Sequence, residues 1–358
     1  MRYETSILDE YEEKKAIYLR LEEYVADILA NMMKQDKVML MDLTHRLKTP
    51  DSLSKKIIKK DKYRYLTDIT DVVGLRLVAY FADDVDKIAA LVAERFKMDW
   101  SNTVDKSAAL SPSTFGYSSL HYVCSLPEEG PYQDYPEEFR GIRFEIQIRT
   151  SLQHVWAEIE HDLGYKSEFG LPRNIRREFS RIAGLLEIAD ERFNDIRKSV
   201  GDYTLEIRDK IRNGLATDVL VDQVSLKEYM FSNVRMQDLI RTICAECNIC
   251  VEHADPFPCL KHLEFLGITT IGDLSEMLER NWHSTITYAR DALAEVDVDL
   301  VSSNKILRYL CYSELIRAHY SIREIEIFMS FSSTSVEQAK QSTKALLERR
   351  QMLTEQKW

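Results

Sequence analysis

The sequence predicts an α/β (α+β) fold over residues 1–210 and a mainly helical domain over residues 211–358. Residues 74–80 have the composition of a strand and are followed at once by a helical pattern, the order found in α/β folds. Residues 142–149 alternate between apolar and polar side chains, as a strand with one buried face does. The later part of the chain instead shows helical patterns with short loops and no glycine-rich phosphate loop.

Helices and one more strand complete the predicted first domain. Residues 6–35 repeat apolar side chains at helical spacing, and Pro50 can begin a second helix. Asp83 can cap the helix that follows residues 74–80. Residues 119–125 predict another strand.

Two helices are predicted after the strand at 142–149. Thr150 and Gln153 stand in capping-box positions for the first. Pro172 fits the first turn of the second, which is long. Its apolar stripe consists of Ile175, Phe179, Ile182, Leu186, Ala189, Phe193 and Ile196.

Composition limits the classes of partner. The 358 residues carry a formal net charge of −11, so a polyanion must be met by a local basic patch. No stretch reaches the ~18 apolar residues of a membrane helix, and residues 1–15 lack the apolar core of a signal peptide. Six cysteines, several of them clustered, are typical of intracellular thiols. We therefore expect a cytoplasmic protein without membrane contact.

A strongly basic segment lies between His45 and Arg64. It holds eight basic residues against two acidic ones, Asp51 and Asp61. Most charge runs are solvated helix faces. In a chain of net charge −11, however, this asymmetry indicates an anion-binding site.

The polar face of the strand at 142–149 indicates a cleft. Glu145 would project there beside Gln147, and Asp71 precedes a strand that carries Arg76. Two carboxylates with arginines beside them suit Mg²⁺ and a polyphosphate. An ordinary exposed sheet face is the alternative, and this pattern alone does not separate the two.

A turn at residues 115–121 offers a candidate base-binding residue. Gly116 allows an unusual backbone angle, and Tyr117 beside it can stack on a nucleobase. A tyrosine after a glycine is more often part of a packed turn, so this signal is weak alone.

A cysteine–histidine segment in the second domain has zinc-like spacing. It comprises Cys247, Cys250, Cys259 and His262, with Cys244 and His253 as spare ligands. The gap between the second and third cysteines is shorter than in most zinc fingers. We favour the alternative that these are small buried residues of a helical core.

Five motifs in order resemble those of the RelA/SpoT-type (p)ppGpp synthetases, in the branch of the small alarmone synthetases. They are Arg46-x-Lys48-x3-Ser52-x3-Lys56, Asp71-Val-Val-Gly74-Leu-Arg76, Gly116-Tyr117-x-Ser119-x-His121, Glu145-Ile-Gln147-Ile-Arg149-Thr150 and Trp156-Ala-x2-Glu160-His161-x3-Tyr165-Lys166. The resemblance spans residues 46–166 and implies a nucleotidyltransferase-like mixed sheet flanked by helices.

The resemblance also implies an activity and roles for individual residues. The enzyme would be an ATP-dependent pyrophosphokinase that moves the β,γ-pyrophosphate of ATP to a ribose 3′-hydroxyl and releases AMP. ATP would be held by Arg46, Lys48, Ser52 and Lys56. Mg²⁺ would be bound by Asp71 and Glu145, which form the catalytic group with Arg76, and Glu145 could assist deprotonation of the hydroxyl. The acceptor would be held by Tyr117, His121 and Gln147.

Departures from the family bear on the acceptor. Ser118 stands where guanine-nucleotide synthetases usually have a basic residue, and Lys106 alone is basic between Trp100 and Phe115. A site with few cations should bind free GDP or GTP poorly. The favoured acceptor is therefore the tRNA 3′ end, which would make the enzyme a translation-inhibiting toxin. The alternatives are a GTP/GDP pyrophosphokinase that makes (p)ppGpp with a regulatory C-terminal extension, and a catalytically dead scaffold. The intact Asp71, Glu145, Arg46 and Lys48 argue against the scaffold.

The layout resembles the fused toxin–antitoxin proteins called CapRel. No hydrolase motif precedes the synthetase motifs, and a further domain follows them. By this resemblance the C-terminal domain would inhibit the enzyme and sense a phage protein in anti-phage defence, and Tyr309 and Tyr312 would be its regulatory Tyr-x-x-Tyr motif. Two tyrosines one helical turn apart are common in cores, which is the reading we favour from the motif alone.

Overall fold

The computed structural model describes residues 4–105, 119–129, 134–165, 172–294 and 298–355. The chain divides into two compact units, Met1–Arg197 and Lys198–Trp358. The division falls inside a helix of 40 residues, Arg173–Arg212, whereas we expected a boundary after residue 210. No helix within the described ranges has the length and apolar character needed to cross a membrane.

The first unit contains a mixed sheet with helices around it. Its helices are α1 (Glu4–Gln35), α2 (Pro50–Lys60), α3 (Ala82–Arg95), α4 (Ser151–Tyr165) and the first part of α5 (Arg173–Arg212). Its strands are β1 (Leu40–Leu47), β2 (Val73–Ala79), β3 (Lys97–Met98), β4 (Val104–Asp105), β5 (Leu120–Ser125) and β6 (Phe144–Thr150). Short 3₁₀ turns occupy Leu66–Asp68 and Glu137–Phe139.

The sheet places the predicted motifs next to one another. Its strand order is β1-β2-β6-β5-β3, and β4 pairs with β5. β2 and β6 are parallel, whereas β1 pairs with β2, and β5 with β6, in the antiparallel sense. The predicted mixed sheet flanked by helices is therefore confirmed. Strand β2, which belongs to the motif that begins at Asp71, and strand β6, which carries Glu145, are neighbours at the centre of the sheet.

The alternation along β6 has the predicted result. Phe144, Ile146 and Ile148 are fully buried and belong to the core of the first unit. Glu145 and Gln147, which face the other way, are half-buried. Strand β1 was not predicted, although its pairing with β2 brings Arg46 and Lys48 to the site.

Two expectations about helices need correction. Asp83 is not the cap of α3; the N-cap is Phe81, without a side-chain hydrogen bond, and Asp83 lies in the first turn. The apolar stripe of α5 is largely exposed, since Ile175, Ile182, Phe193 and Ile196 are each at least 40% exposed. The face of α5 that is buried instead carries Ala183, Asp190 and Asn194.

The second unit is helical, as predicted, with one short pair of parallel strands. It contains the end of α5 and then α6 (Gln223–Ser232), α7 (Val234–Cys247), β7 (Cys250–Glu252), α8 (Leu260–Phe265), α9 (Ile271–Arg280), α10 (Trp282–Ala294), β8 (Leu300–Ser302), α11 (Ser303–Arg317), α12 (Ile322–Ser330) and α13 (Val336–Glu355). A 3₁₀ turn at Phe257–Cys259 precedes α8. The unit has its own apolar core, centred on fully buried residues of α11 such as Ile306, Leu307 and Leu310.

Candidate active site

The site is built on two rows of residues that are paired across four strands. One row is Arg46, Gly74, Glu145 and Val123. The next is Thr44, Arg76, Gln147 and His121. Paired residues of neighbouring strands project to the same face of a sheet. Residues that lie far apart in the sequence therefore share one polar surface.

Gly74 leaves space in the centre of this surface. A Cβ added at this glycine would meet no atom within 4 Å. A cavity of about 270 Å³ opens here, and its lining includes Arg46, Lys48, Asp71, Arg76, Glu145 and Gln147. The cavity therefore brings together six of the predicted site residues from three segments of the chain.

Asp71 is held between two lysines of the basic segment. The Nζ of Lys48 lies 2.9 Å from its Oδ2, and the Nζ of Lys56 lies 2.5 Å from its Oδ1. The backbone of Lys48 is fixed as well, because its carbonyl accepts a 2.7 Å hydrogen bond from the hydroxyl of Tyr11. The buried Oδ1 of Asp71 has Lys56 as an ion partner but no partner in hydrogen-bond geometry. Two lysines of the basic segment thus reach the site as ion partners of Asp71, whereas Lys55, Lys59 and Lys60 on α2 are exposed to solvent.

Ser52 lies at the start of α2 and has a local partner. Thr49 caps this helix, accepting a hydrogen bond from the backbone N–H of Ser52, and its hydroxyl lies 2.9 Å from that of Ser52. Ser52 is not among the residues that line the cavity. Its supporting role for ATP remains a prediction.

Glu145 is held as a carboxylate by a hydrogen-bond network. His121 Nδ1 lies 3.0 Å from its Oε1, and the Nε2 of Gln147 donates to the same oxygen at 2.6 Å. Burial would raise the pKa of Glu145. The hydrogen bond and charge of His121, the hydrogen bond from Gln147 and the charge of Lys56 outweigh it and lower that pKa to about 2. Glu145 is therefore ionised at neutral pH.

Arg76 has a partner that the sequence reasoning missed. Its Nη1 donates to Oε1 of Glu158 at 2.7 Å, so a carboxylate of α4 reaches the edge of the site. Glu158 belongs to the motif that begins at Trp156, and only the fold brings it opposite Arg76. Trp156 is buried and donates to the backbone carbonyl of Phe179 at 3.3 Å, which ties α4 to α5.

One predicted group of the site lies outside the described residues. Gly116, Tyr117 and Ser118 fall in the range 106–118, so the acceptor role of Tyr117 remains a prediction from the sequence. His121 is described and takes part in the site, with its Nε2 2.7 Å from the hydroxyl of Ser119.

The two carboxylates fit a magnesium ion that is completed by substrate. Within the described ranges, no three His, Cys, Asp or Glu side chains are grouped so that they could hold a metal. Mg²⁺ usually binds through one or two carboxylates together with substrate phosphates and water. Asp71, whose Oδ1 lacks a hydrogen bond, and ionised Glu145 match that set.

The cysteine–histidine segment does not converge in the same way. Cys250 is exposed, Cys259 and His262 are buried, and Cys244 and Cys247 are half-buried. His262 contacts the backbone carbonyl of Pro258 through Nδ1 at 3.2 Å and packs against Phe328 and Phe331. These partners are those of core packing.

Tyr309 and Tyr312 belong to an aromatic cluster in the second unit. Tyr309 is 4% exposed, and both rings pack against Tyr288, at 5.4 and 5.6 Å between centroids. This burial is what the packing interpretation of the motif expects. Their regulatory role remains a prediction.

Comparisons with known proteins agree with the motifs. A family model described as a region found in RelA / SpoT proteins matches residues 45–169. GTP pyrophosphokinase YjbM of Bacillus subtilis (strain 168) is 28% identical over 159 residues, 44% of this chain and 72% of that protein. GTP pyrophosphokinase YwaC of the same strain is 25% identical over 159 residues, 43% of this chain and 72% of that protein.

A solved structure of a small alarmone synthetase is also similar to part of this chain. Small alarmone synthetase 1 from Bacillus subtilis is 26% identical, with a TM-score of 0.46, over 54% of this chain and 99% of that chain. That synthetase has also been solved bound to its product pppGpp and bound to AMPCPP.

Proposed function

We propose that the chain transfers the β,γ-pyrophosphate of ATP to a ribose 3′-hydroxyl, because residues 45–169 match the model of a region found in RelA / SpoT proteins and two relatives are named GTP pyrophosphokinases. The observation that carries the proposal is the convergence of Asp71 and Glu145 at one cavity with Arg46, Lys48 and Arg76. Phosphoryl-type transfers are accelerated mainly by positioning and by neutralisation of charge. The site offers both.

The cations of the site are suited to a polyphosphate. Lys48 and Lys56 pair with Asp71, and each has further hydrogen-bond donors for phosphate oxygens. Arg46 lies across Gly74 from Glu145, so that the open space between them is bounded by one cation and one carboxylate. Mg²⁺, when bound, would neutralise charge on the phosphates.

Glu145 is better suited to a charged role than to proton transfer. A general base works best when its pKa lies near the operating pH. The pKa of Glu145 is about 2, which makes it a weak base that stays ionised. We therefore give Glu145 the role of an anionic ligand first, and assistance to the attacking hydroxyl second.

We propose the 3′ end of tRNA as the acceptor. The support is in the sequence: Ser118 replaces a basic residue, and Lys106 is the one basic residue between Trp100 and Phe115. Few cations there disfavour a free nucleotide, whose 5′-phosphates would need partners. Pyrophosphorylated tRNA would not accept an amino acid, so the enzyme would act as a translation-inhibiting toxin.

A guanine nucleotide is the second candidate acceptor. Both curated relatives are named GTP pyrophosphokinases, and this favours GDP or GTP as acceptor and (p)ppGpp as product. The two candidates share the ATP site and differ in the loop that contains Tyr117 and Ser118.

We propose that the second unit regulates the enzyme. The predicted ATP, Mg²⁺ and acceptor residues all belong to the unit Met1–Arg197, so the second unit is not needed to supply them. Its resemblance to the CapRel layout supports an inhibitory role that a phage protein relieves, in anti-phage defence.

The test uses γ-³²P-ATP with GDP, GTP and bulk tRNA in separate reactions. We would compare the full chain with residues 1–215, which include all of α5. Label in tRNA that is removed by trimming of the 3′ end is the expected result, with faster labelling by the shorter form. Label in a guanosine tetra- or pentaphosphate would show that the acceptor is a guanine nucleotide and not tRNA. Equal rates from both forms would contradict the inhibitory role.

A further inference from the structure

We propose that Arg149 is a positioning residue, which orients the side chain of Gln147 and through it the carboxylate of Glu145. Arg149 lies on β6, on the same face as these two residues, and its paired neighbour on β2 is Val78. The inference rests on the proposed function, because it assigns a role within that same site.

The surroundings of Arg149 do not provide the usual partner of a buried arginine. Its side chain is only 6% exposed, and among the described residues no carboxylate lies within ion-pair distance of it. Its Nε is buried without a hydrogen-bond partner. Burying a cation in this way is costly unless hydrogen bonds compensate. The hydrogen bond that Arg149 makes to another side chain therefore offsets part of this cost.

That hydrogen bond goes to the side chain of Gln147. The Nη2 of Arg149 donates to Oε1 of Gln147 at 2.6 Å. A guanidinium can only donate, so the amide oxygen of Gln147 must face Arg149. The amide nitrogen must then face the other way, where its Nε2 donates to Oε1 of Glu145 at 2.6 Å. Arg149 thus removes the ambiguity of an amide that could otherwise turn either way.

As a consequence, the two carboxylate oxygens of Glu145 have different hydrogen-bond partners. Oε1 receives Gln147 and lies 3.0 Å from Nδ1 of His121. No hydrogen bond from the described residues reaches Oε2, which remains available for a ligand in the cavity. If the amide of Gln147 were reversed, its oxygen would face Oε1 and repel it. Arg149 is therefore expected to keep the carboxylate in one orientation.

Direct contact between Arg149 and substrate is the competing explanation. Arg149 does not line the cavity, whereas Gln147, Glu145 and Arg76 do. Arg149 is also four residues from Glu145 along the strand, at the end that leads into α4. The geometry thus favours action through Gln147.

The experiment is a double-mutant cycle in the full chain, with AMP release from ATP as the readout. Arg149→Met should lower kcat on the order of 100-fold, as displacement of a reacting group does, with KM for ATP nearly unchanged. Arg149→Lys, which can still donate to Gln147, should recover part of the loss. The double variant with Gln147→Met should be no slower than Gln147→Met alone, because residues that act in series are not additive.

Arg143→Met is the matched control. Arg143 precedes the same strand but pairs with Asp99 at 2.8 Å and does not contact Gln147. This variant should lower Tm and leave kcat unchanged. A rise in KM for ATP with unchanged kcat in Arg149→Met, or effects of Arg149→Met and Gln147→Met that multiply, would overturn the proposal in favour of direct substrate contact.

A second readout tests the role of Arg149 without depending on enzymatic activity. In the full chain labelled with ¹⁵N-glutamine, the side-chain amide signal of Gln147 is identified by its loss in Gln147→Met. It should shift in Arg149→Met and not in Arg143→Met. If neither the full chain nor residues 1–215 releases AMP with any acceptor, the proposed function fails, while this shift still decides the role of Arg149. An unchanged Gln147 signal in Arg149→Met would overturn the positioning role of Arg149.

Discussion

The polar cavity of the first unit and the aromatic cluster of the second hold titratable side chains in opposite surroundings. In the cavity, Asp71 lies between two ammonium groups and Glu145 accepts from Gln147. In the second unit, Tyr309 and His262 are buried among aromatic rings, and within the described ranges no ion pair holds either. The cavity surrounds its carboxylates with cations and hydrogen-bond donors, and the aromatic cluster buries its groups as part of the core.

The direction of the pKa shifts follows this difference. Burial is opposed by partners in the cavity, where the pKa of Glu145 falls to about 2. For two groups of the second unit burial dominates, and it raises the pKa of Tyr312 to about 12 and that of Cys259 to about 11. A thiol must lose its proton to bind zinc. These surroundings suit the carboxylates of the cavity for binding charged ligands and suit Tyr312 and Cys259 for packing.

The largest expected effect is on catalysis, from Asp71→Asn. Loss of the charge should lower the rate of AMP release on the order of 1,000-fold, since it removes an electrostatic contribution of several kcal/mol. Asp68→Asn is the matched control, because Asp68 accepts from the backbone of Arg64 and Tyr65 outside the cavity. A comparable loss of AMP release in both variants would show that the loss in Asp71→Asn is structural. The cavity would then no longer differ from the second region in its chemistry.

The next effect is on stability, at Tyr309. Tyr309→Ala should lower the free energy of unfolding by about 3–5 kcal/mol, as truncation of a buried aromatic does, whereas Tyr309→Phe should change it little. Denaturant unfolding of the full chain measures both. If Tyr309→Phe leaves stability intact as expected but also raises the rate of AMP release, the hydroxyl acts in regulation and the packing interpretation is incomplete.

A smaller effect is expected at His262. Its Nε2 is buried without a partner, so His262→Leu should change the free energy of unfolding by no more than about 1 kcal/mol. His262→Ala should cost about 2 kcal/mol or more, because it leaves a cavity beside Phe328. A chelator should leave Tm unchanged. Bound zinc that is lost from His262→Leu would make the second region a metal site after all.

The smallest effect is an acid-dependent one at Asp99. The hydrogen bond from Ser101 is the largest cause, and those from Arg143 and Asn102 add to it, lowering the pKa of Asp99 below its ordinary value of 3.8 despite burial. Because the folded pKa is depressed, the stabilisation is present above that ordinary value and is lost as the pH falls below it. Asp99→Asn should therefore cost about 1 kcal/mol at pH 7, with a smaller difference in Tm from the wild type near pH 3. A difference in Tm that does not shrink in acid would show that the charge is not the cause.

The sequence predicted β6 and its polar face because a period of two is a local property of the chain. It did not predict β1. Residues 40–47 run into the basic segment, which we interpreted by its charge alone. Glu158 was missed for a different reason: its position opposite Arg76 depends on how α4 packs on the sheet. The spacing of Cys247, Cys250, Cys259 and His262 was suggestive, but burial and rotation of the helices decide whether ligands converge. Local patterns thus predicted elements, and tertiary packing decided partners.

Transfer of pyrophosphate, as opposed to a single phosphate, is decided by the identity of the nucleotide that ATP becomes. Purified full chain and residues 1–215 are each incubated with ATP, Mg²⁺ and either tRNA or GDP, and the products are separated. We expect AMP, in a one-to-one ratio with pyrophosphorylated acceptor, and loss of both products in Glu145→Gln. Formation of ADP, or AMP formed equally well by Glu145→Gln, would contradict this expectation.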